Sequence, residues 1–179
     1  MGPLSFQTTM FIPFDTLPDT ARLWVYPASR PLSDADVTLI EQQLEPALQG
    51  WTAHGQPLMA SARVVANRFI LIAVDGGFAL PSGCSIDASV GMLRSLSEQL
   101  TAQSGAVDFF DRSAMVQTES GGVTAVALPA IKAAVSSGQL RPDTVVFNTL
   151  VQTVSDFRTG WQIPAEASWL KRYFRSVGA

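Results

Sequence analysis

The chain contains one cysteine, Cys84, and one histidine, His54, and these side chains are well suited to nucleophilic and acid–base catalysis. Cys84 lies in the segment 81–87, where an apolar strand pattern gives way to an amphipathic helix. The dipole and the free backbone N–H groups of a helix N-terminus favour the thiolate form of a cysteine placed there. The pair therefore indicates a small thiol-dependent hydrolase or transferase, with Cys84 as nucleophile and His54 as base.

A carboxylate is the third group that such a mechanism needs, because it orients the imidazole. Asp87, Asp75 and Asp111 are the candidates, and Asp87 is the one nearest to Cys84 in the sequence. Backbone N–H groups of residues 84–86 are suitably placed to stabilise an oxyanion. The structural alternative is that Cys84 is a small buried residue in a tight turn and His54 an ordinary loop residue.

Two further groups of residues are candidates for ligand binding. Gly83 and Ser85 stand at the start of the predicted helix, where an anion binds readily. Asp111 and Arg112 follow two phenylalanines and place a carboxylate beside a guanidinium. The structural alternatives are an N-cap at Ser85 followed by a first-turn acid, and solvated charges at a strand end.

Metal and nucleotide sites have little support in the sequence. One cysteine and one histidine are too few for a structural zinc site. The glycine pairs at 76–77 and 121–122 belong to neither the GxxxxGK[ST] nor the GxGxxG pattern. We therefore predict no metal and no cofactor.

Composition and charge restrict the class of protein. The chain has 179 residues, 47% of them hydrophobic, which suits one domain with a real core. A net charge of −3 without a broad cationic face argues against nucleic-acid binding. No apolar run has the length of a membrane span, and the N-terminus lacks the features of a signal peptide. A cytoplasmic protein that does not bind membranes is predicted.

Hydrophobic periodicity predicts the order β-α-β-β-α-β over residues 21–128. The simplest fold with this order is α+β and ferredoxin-like, with two helices on one face of an antiparallel sheet. The predicted elements are strands at 22–28, 58–65 and 69–74, a fourth strand within 107–118, and helices from Ser33 to near Gly50 and over 85–103. A hairpin at 120–122 leads to a further strand over 123–128.

The strand at 69–74 is apolar at every position, so both of its faces should be covered. An irregular arm at 1–20 precedes the core, and residues 129–179 are predicted to form helices that pack on it. These helices are expected at 130–137, from Pro142 onward, and from about residue 165. Self-association through the sheet is the competing way to cover the second face.

Five segments of the chain resemble an uncharacterised bacterial family, some of whose members carry the label "ABC transporter ATPase". They are Ile12–Asp15, His54–Gly55, Ser82–Asp87, Phe109–Arg112 and Val146–Asn148. The chain has neither a Walker A loop nor an ABC signature motif, so the ATPase label does not carry over. The resemblance implies a protein of unknown function and supplies no catalytic residues.

The sequence leads to three functional hypotheses. The first is a non-enzymatic binding or assembly domain whose partner is a second copy of the chain or another protein, with Cys84 buried and unreactive. The second is the thiol-dependent enzyme, which requires Cys84 and His54 to meet in one cleft. The third is a pocket for a small apolar or anionic ligand between the sheet and the C-terminal helices.

Overall fold

Two sheets lie face to face in the computed structural model, which describes residues 11–77 and 79–175. Two long helices cover the outer face of the first sheet, and short C-terminal helices cover the outer face of the second. The layers are therefore helix, sheet, sheet and helix, an α+β architecture. The described strands are β1 (Arg22–Pro27), β2 (Thr52–Ala53), β3 (Gln56–Pro57), β4 (Ala60–Val65), β5 (Phe69–Val74), β6 (Ala114–Gln117), β7 (Val123–Val126), β8 (Val145–Phe147) and β9 (Gln162–Pro164). The described α-helices are α1 (Asp34–Gln49), α2 (Gly83–Ser104), α3 (Ile131–Ser136), α4 (Val154–Gly160) and α5 (Lys171–Phe174).

The first sheet has the antiparallel order β1-β5-β4, with β5 in the centre. Alternate residues of β5 point to opposite faces, and all six are buried. Ile70, Ile72 and Val74 pack against α1 and α2. Phe69, Leu71 and Ala73 pack against the second sheet and α4. The prediction of a strand covered on both faces is thus confirmed.

Helix α1 begins where the sequence predicts. Ser33 is its N-cap and forms a capping box with Asp36, in which each side chain accepts a hydrogen bond from the other residue's backbone N–H. Pro46 lies inside the helix, and Gly50 caps its end. The predicted boundaries, Ser33 and the vicinity of Gly50, are both confirmed.

The second sheet has the order β7-β6-β8-β9. Met115 of β6 and Phe147 of β8 point towards the first sheet. Their neighbours Val116 and Val146 point the other way, into a third core formed with α3 and the C-terminal segment. The second sheet therefore covers the first together with the N-terminal segment and residues 151–161.

The ferredoxin-like topology is not found as predicted. The strand expected within 107–118 is β6, which pairs with β7 and β8 and belongs to the second sheet. Residues 108–111 only touch the end of β1, where the backbone N–H of Ser29 donates to the carbonyl of Asp108 at 2.9 Å. A different segment pairs with the free edge of β1: the N–H of Leu23 donates to the carbonyl of Gln152 at 2.9 Å. The edge that a fourth strand would occupy is thus shared between two irregular segments.

The prediction of C-terminal helices at 129–179 is also wrong in part. The helix expected from Pro142 is replaced by β8, a loop and then α4. Val145, Val146 and Phe147 favour extended backbone, and β8 pairs with both β6 and β9. Residues 131–136 form a helix as expected, and the C-terminal segment does cover the core. Part of the predicted arm, residues 1–10, lies outside the described residues.

Candidate functional site

Helix α2 presents Cys84 in its first turn. Ser82 is the N-cap, and it forms a capping box with Ser85 through bonds of 3.2 and 2.6 Å. The helix thus begins at Gly83, and the prediction that Ser85 is the N-cap is wrong by one turn. Cys84, the second helical residue, is exposed, which contradicts the expectation of a buried thiol. Gly83 is exposed as well, whereas Ser85 is buried.

His54 lies at the tip of the hairpin formed by β2 and β3. His54 and Gly55 have φ angles of +50° and +76°, the left-handed conformation that a type I′ turn requires at both central residues. The hairpin is attached to α2 by Trp51, whose indole N–H donates to the carbonyl of Ser85 at 2.7 Å. The His54 imidazole is exposed.

Cys84 and His54 line one shallow depression of about 330 Å³. Trp51 and Ser85 contribute to the same depression. The structure therefore brings the two candidate residues to one place although they are far apart in the sequence. Within the described residues, however, no hydrogen bond joins the thiol to the imidazole.

The candidate carboxylates do not reach His54. Asp87 is exposed on α2 and lies outside the lining of the depression. One oxygen of Asp75 accepts the N–H of Gly77 at 2.9 Å. Asp111 lies in a different cleft. Among the described residues, the lining of the depression therefore includes Cys84 and His54 but none of the three candidate carboxylates.

A larger cleft of about 560 Å³ lies beside β1, and we call it the β1 cleft. Its walls come from three regions of the chain: β1 itself, residues 109–113, and the part of the chain after β7. Its lining residues are Val25, Tyr26, Pro27, Phe109, Phe110, Asp111, Arg112, Ser113, Leu128, Thr149, Leu150, Trp169 and Arg172. It includes the predicted ligand-binding residues Asp111 and Arg112, and it does not include Gly83 or Ser85.

The β1 cleft gathers several exposed large apolar side chains. Five large apolar side chains are exposed among the described residues, and three of them line this cleft. These are Leu150, Phe110 and Leu128, with 62%, 39% and 37% of their surface exposed. The ring of Tyr26 meets that of Phe110 edge to face, with centroids 6.1 Å apart. Exposed apolar side chains gathered in one concave place are typical of a binding site.

The Asp111 carboxylate interacts with neighbouring groups of the protein. One of its oxygens accepts the N–H of Ser113 at 2.8 Å. Its charge also acts on Arg68, a buried residue whose Nε donates to the carbonyl of Ala28 at 2.9 Å. Burial lowers the pKa of the Arg68 guanidinium, and the Asp111 carboxylate opposes that shift. Asp111 thus has a structural role in the lining of the cleft.

Arg112 and Arg172 are the cations of the β1 cleft, and both are exposed. The guanidinium of Arg172 lies 5.8 Å from the ring centre of Trp169 and 5.0 Å from that of Tyr173. It also donates to the hydroxyl of Tyr173 at 3.2 Å. Neither arginine forms an ion pair with a carboxylate of residues 11–77 or 79–175.

Sequence reasoning selected Asp111 and Arg112 but missed most of the cleft. The missed residues lie on separate elements, so no local sequence pattern predicts that they share a cleft. They are Leu128, Leu150, Trp169 and Arg172. The one available signal is the alternation of aromatic and basic residues in segment 169–175. That alternation predicts aromatic residues docked on the core and cations facing water. In the structure Trp169 is half-buried and Arg172 is exposed, and both line the cleft.

The described residues contain neither a metal-binding cluster nor a membrane-spanning helix. No group of three or more histidine, cysteine, aspartate or glutamate side chains is positioned there to hold a metal ion. Within 11–77 and 79–175, no helix combines the length and the apolar character needed to cross a membrane.

Comparison with known proteins identifies no relative. No protein-family model matches the chain, and neither a curated protein nor a solved structure matches it.

Proposed function

We propose that this protein is a non-enzymatic binding or assembly domain and that the β1 cleft is its binding surface. The observation that supports the proposal is the gathering of Phe110, Leu128 and Leu150, all exposed, in one concave site with two arginines. Leaving such apolar surface in water costs roughly 25 cal/mol per Å² relative to covering it. A ligand that covers these side chains regains that free energy.

The test is a screen of small uncharged aromatic and aliphatic fragments, read by NMR chemical shifts of assigned backbone amides. We expect the fragments to shift amides of 109–113 and 149–150 and to lose their effect in Leu150→Asp. Leu150 is exposed, so this variant should fold normally. Val145→Asp is the matched control, because Val145 is an exposed apolar residue outside the cleft. Fragments that bind elsewhere, or that bind Leu150→Asp equally well, would refute the proposal.

A thiol-dependent hydrolase or transferase is the second candidate function. The observation in its favour is that Cys84 is exposed at a helix N-terminus and shares a depression with His54. The observation against it is the missing hydrogen bond between thiol and imidazole, although catalytic bonds are often loose without substrate.

Alkylation of Cys84 by iodoacetamide at pH 7 tests this second candidate. An activated thiol should react much faster than a cysteine in an unstructured peptide, and His54→Asn should slow it. Asparagine is chosen because Asn-Gly is a preferred type I′ turn, so the hairpin stays intact. An alkylation rate equal to that of the peptide and unchanged in His54→Asn would exclude a role for this pair.

The finer architecture is also a proposal. The order β1-β5-β4, with α1 between β1 and β4, matches three strands of a ferredoxin-like sheet. We propose that β1, α1, β4, β5 and α2 form a split βαβ unit whose fourth strand belongs to the second sheet instead. The family resemblance and the homodimer or other protein partner likewise stay predictions. The apolar sheet face that motivated the dimer is covered by the chain's own residues.

A further inference from the structure

Resting on the proposed function of the β1 cleft, we infer the class of its ligand. We propose that the cleft binds a small amphipathic carboxylate, whose apolar body contacts the aromatic and leucine walls and whose acid group pairs with Arg112 and Arg172. Three properties of the described residues support this assignment: the volume, the chemistry of the walls and the balance of charge.

The volume and walls favour a small molecule with an apolar body. A cleft of about 560 Å³ lies within the range of small-molecule sites. Tyr26, Phe110 and Trp169 contribute aromatic surface, and Leu128 and Leu150 contribute aliphatic surface. Aromatic ligands gain edge-to-face or offset-stacked contacts in such a site in addition to the burial of their surface.

The charges favour an anion. Arg112 and Arg172 line the cleft, and a third arginine, Arg94, lies 5.9 Å from the ring centre of Phe110. The nearby carboxylates are both engaged with backbone N–H groups: Asp111 with Ser113 at 2.8 Å and Asp108 with Phe110 at 2.9 Å. Asp111 also balances the charge of the buried Arg68. The cleft thus retains an excess of guanidinium groups over carboxylates.

The form of the cations favours a carboxylate in particular. A guanidinium presents parallel N–H donors that match the two oxygens of a carboxylate. Arg172 is held over Trp169 and Tyr173, so less side-chain entropy is lost when it binds an anion. A cationic ligand of the same shape would be repelled by these guanidinium groups, and a neutral ligand would form no charge-assisted hydrogen bond with them.

Three compounds with the same ring test the assignment: 1-naphthaleneacetate, 2-(1-naphthyl)ethanol and 2-(1-naphthyl)ethylammonium. Titration calorimetry on the wild-type chain should give an affinity for the acid at least roughly tenfold above those for the alcohol and the amine, as a charge-assisted hydrogen bond predicts. NMR shifts should place the acid against 109–113 and 149–150. Arg112→Gln combined with Arg172→Gln should remove the preference for the acid, because the affinity for the acid should fall much more than the affinity for the alcohol.

Arg141→Gln is the matched control, because Arg141 is exposed and lies outside the cleft. It should not change any of the three affinities. Arg112→Gln alone should reduce the preference for the acid, and it avoids any packing change at Trp169.

The outcomes separate the ligand class from the binding function. Equal binding of all three compounds in the cleft would overturn the carboxylate assignment and leave the cleft as a binding site. An acid preference that survives the double substitution, or an acid located outside the cleft, would also overturn the assignment. If none of the three compounds and no fragment shifts the cleft amides, the proposed function fails together with the ligand class.

Discussion

The ionised carboxylate of Asp36 stabilises the folded protein. Its side chain is 3% exposed and pairs with Arg30 at 2.8 Å. Burial alone would raise its pKa, but hydrogen bonds from Arg30, Ser104 and the N–H of Ser33, together with the Arg30 charge, lower the pKa to about 2. Arg30 also donates to the carbonyls of Gly105 and Ala106 at 3.1 and 3.2 Å. The pair thus joins the start of α1 to the end of α2.

Replacing Asp36 by Asn should lower the free energy of unfolding at pH 7 by about 2–3 kcal/mol, which corresponds to the depressed pKa. The folded-state pKa lies below the unfolded value, so this stabilisation is present above about pH 4 and is lost as the pH falls towards 2. Urea unfolding at pH 7 and at pH 2.5 measures the free energy of unfolding under both conditions. The difference in this free energy between wild type and Asp36→Asn should be smaller at pH 2.5. Asp143→Asn, which breaks an exposed ion pair, is the control and should cost under about 1 kcal/mol.

Ser61 is a residue whose polar group costs stability. Its side chain is fully buried on β4, and its hydroxyl has no hydrogen-bond partner among the described residues. Ser61→Ala should raise the free energy of unfolding by about 1 kcal/mol, because an unpaired hydroxyl is removed from the core. Ser89→Ala is the matched control, since the hydroxyl of this buried serine donates to the carbonyl of Ile86. We expect the control to lose about 1 kcal/mol, and a loss in both variants would contradict the account of Ser61.

The hairpin formed by β2 and β3 is the element that places His54 beside Cys84. Its turn requires a positive φ at His54, which asparagine tolerates better than alanine. His54→Ala should therefore lose about 1 kcal/mol of stability, whereas His54→Asn should lose almost none. Thermal unfolding of the two variants distinguishes them. If both lose the same amount, the imidazole rather than the turn is responsible, and His54 has a structural contact.

The first turn of α2 is the other element that sets this region. Ser82 and Ser85 satisfy each other's backbone N–H groups, and Trp51 ties the same turn to the hairpin. Capping patterns are local, and for α1 the pattern predicts the N-cap correctly at Ser33. At α2 two serines three positions apart both fit the N-cap pattern, and the structure selects Ser82. Local signals thus locate the helix start to within one turn.

At the scale of the whole molecule, an aromatic cluster joins the two sheets and α4. The ring of Trp161 lies 4.9 Å from that of Phe69, 5.6 Å from that of Phe147 and 5.0 Å from that of Phe157, measured between centroids. Phe69 belongs to the first sheet and Phe147 to the second. The two sheets therefore share the core cluster that lies between them, and we expect them to unfold together.

Phe147→Ala should lower the free energy of unfolding by about 3–5 kcal/mol, because it opens a cavity between the sheets. Val145→Ala, in the same strand but exposed, should cost under about 1 kcal/mol. Far-ultraviolet circular dichroism and tryptophan fluorescence should report the same unfolding midpoint in wild type. Two separate midpoints would show that the sheets unfold independently.

The sequence by itself determined the features that depend on neighbouring residues. The start of α1 at Ser33 follows from capping, and β5 follows from six consecutive apolar residues whose alternation requires two covered faces. The pattern Val146, Leu150, Val154 and Phe157 predicts a helix, yet Val146 belongs to β8. Short apolar runs fit both periods, and pairing with β6 and β9 decides between them.

Only the tertiary structure decided which strands share a sheet and which side chains share a cleft. The fourth strand of the predicted sheet joins β7 and β8, because the edge of β1 is occupied at Leu23 by a segment distant in the sequence. The β1 cleft likewise combines β1, 109–113 and residues of the C-terminal third. Strand pairing and concave surfaces arise from contacts between distant residues. The periodicity of a single segment therefore carries no information about its partners.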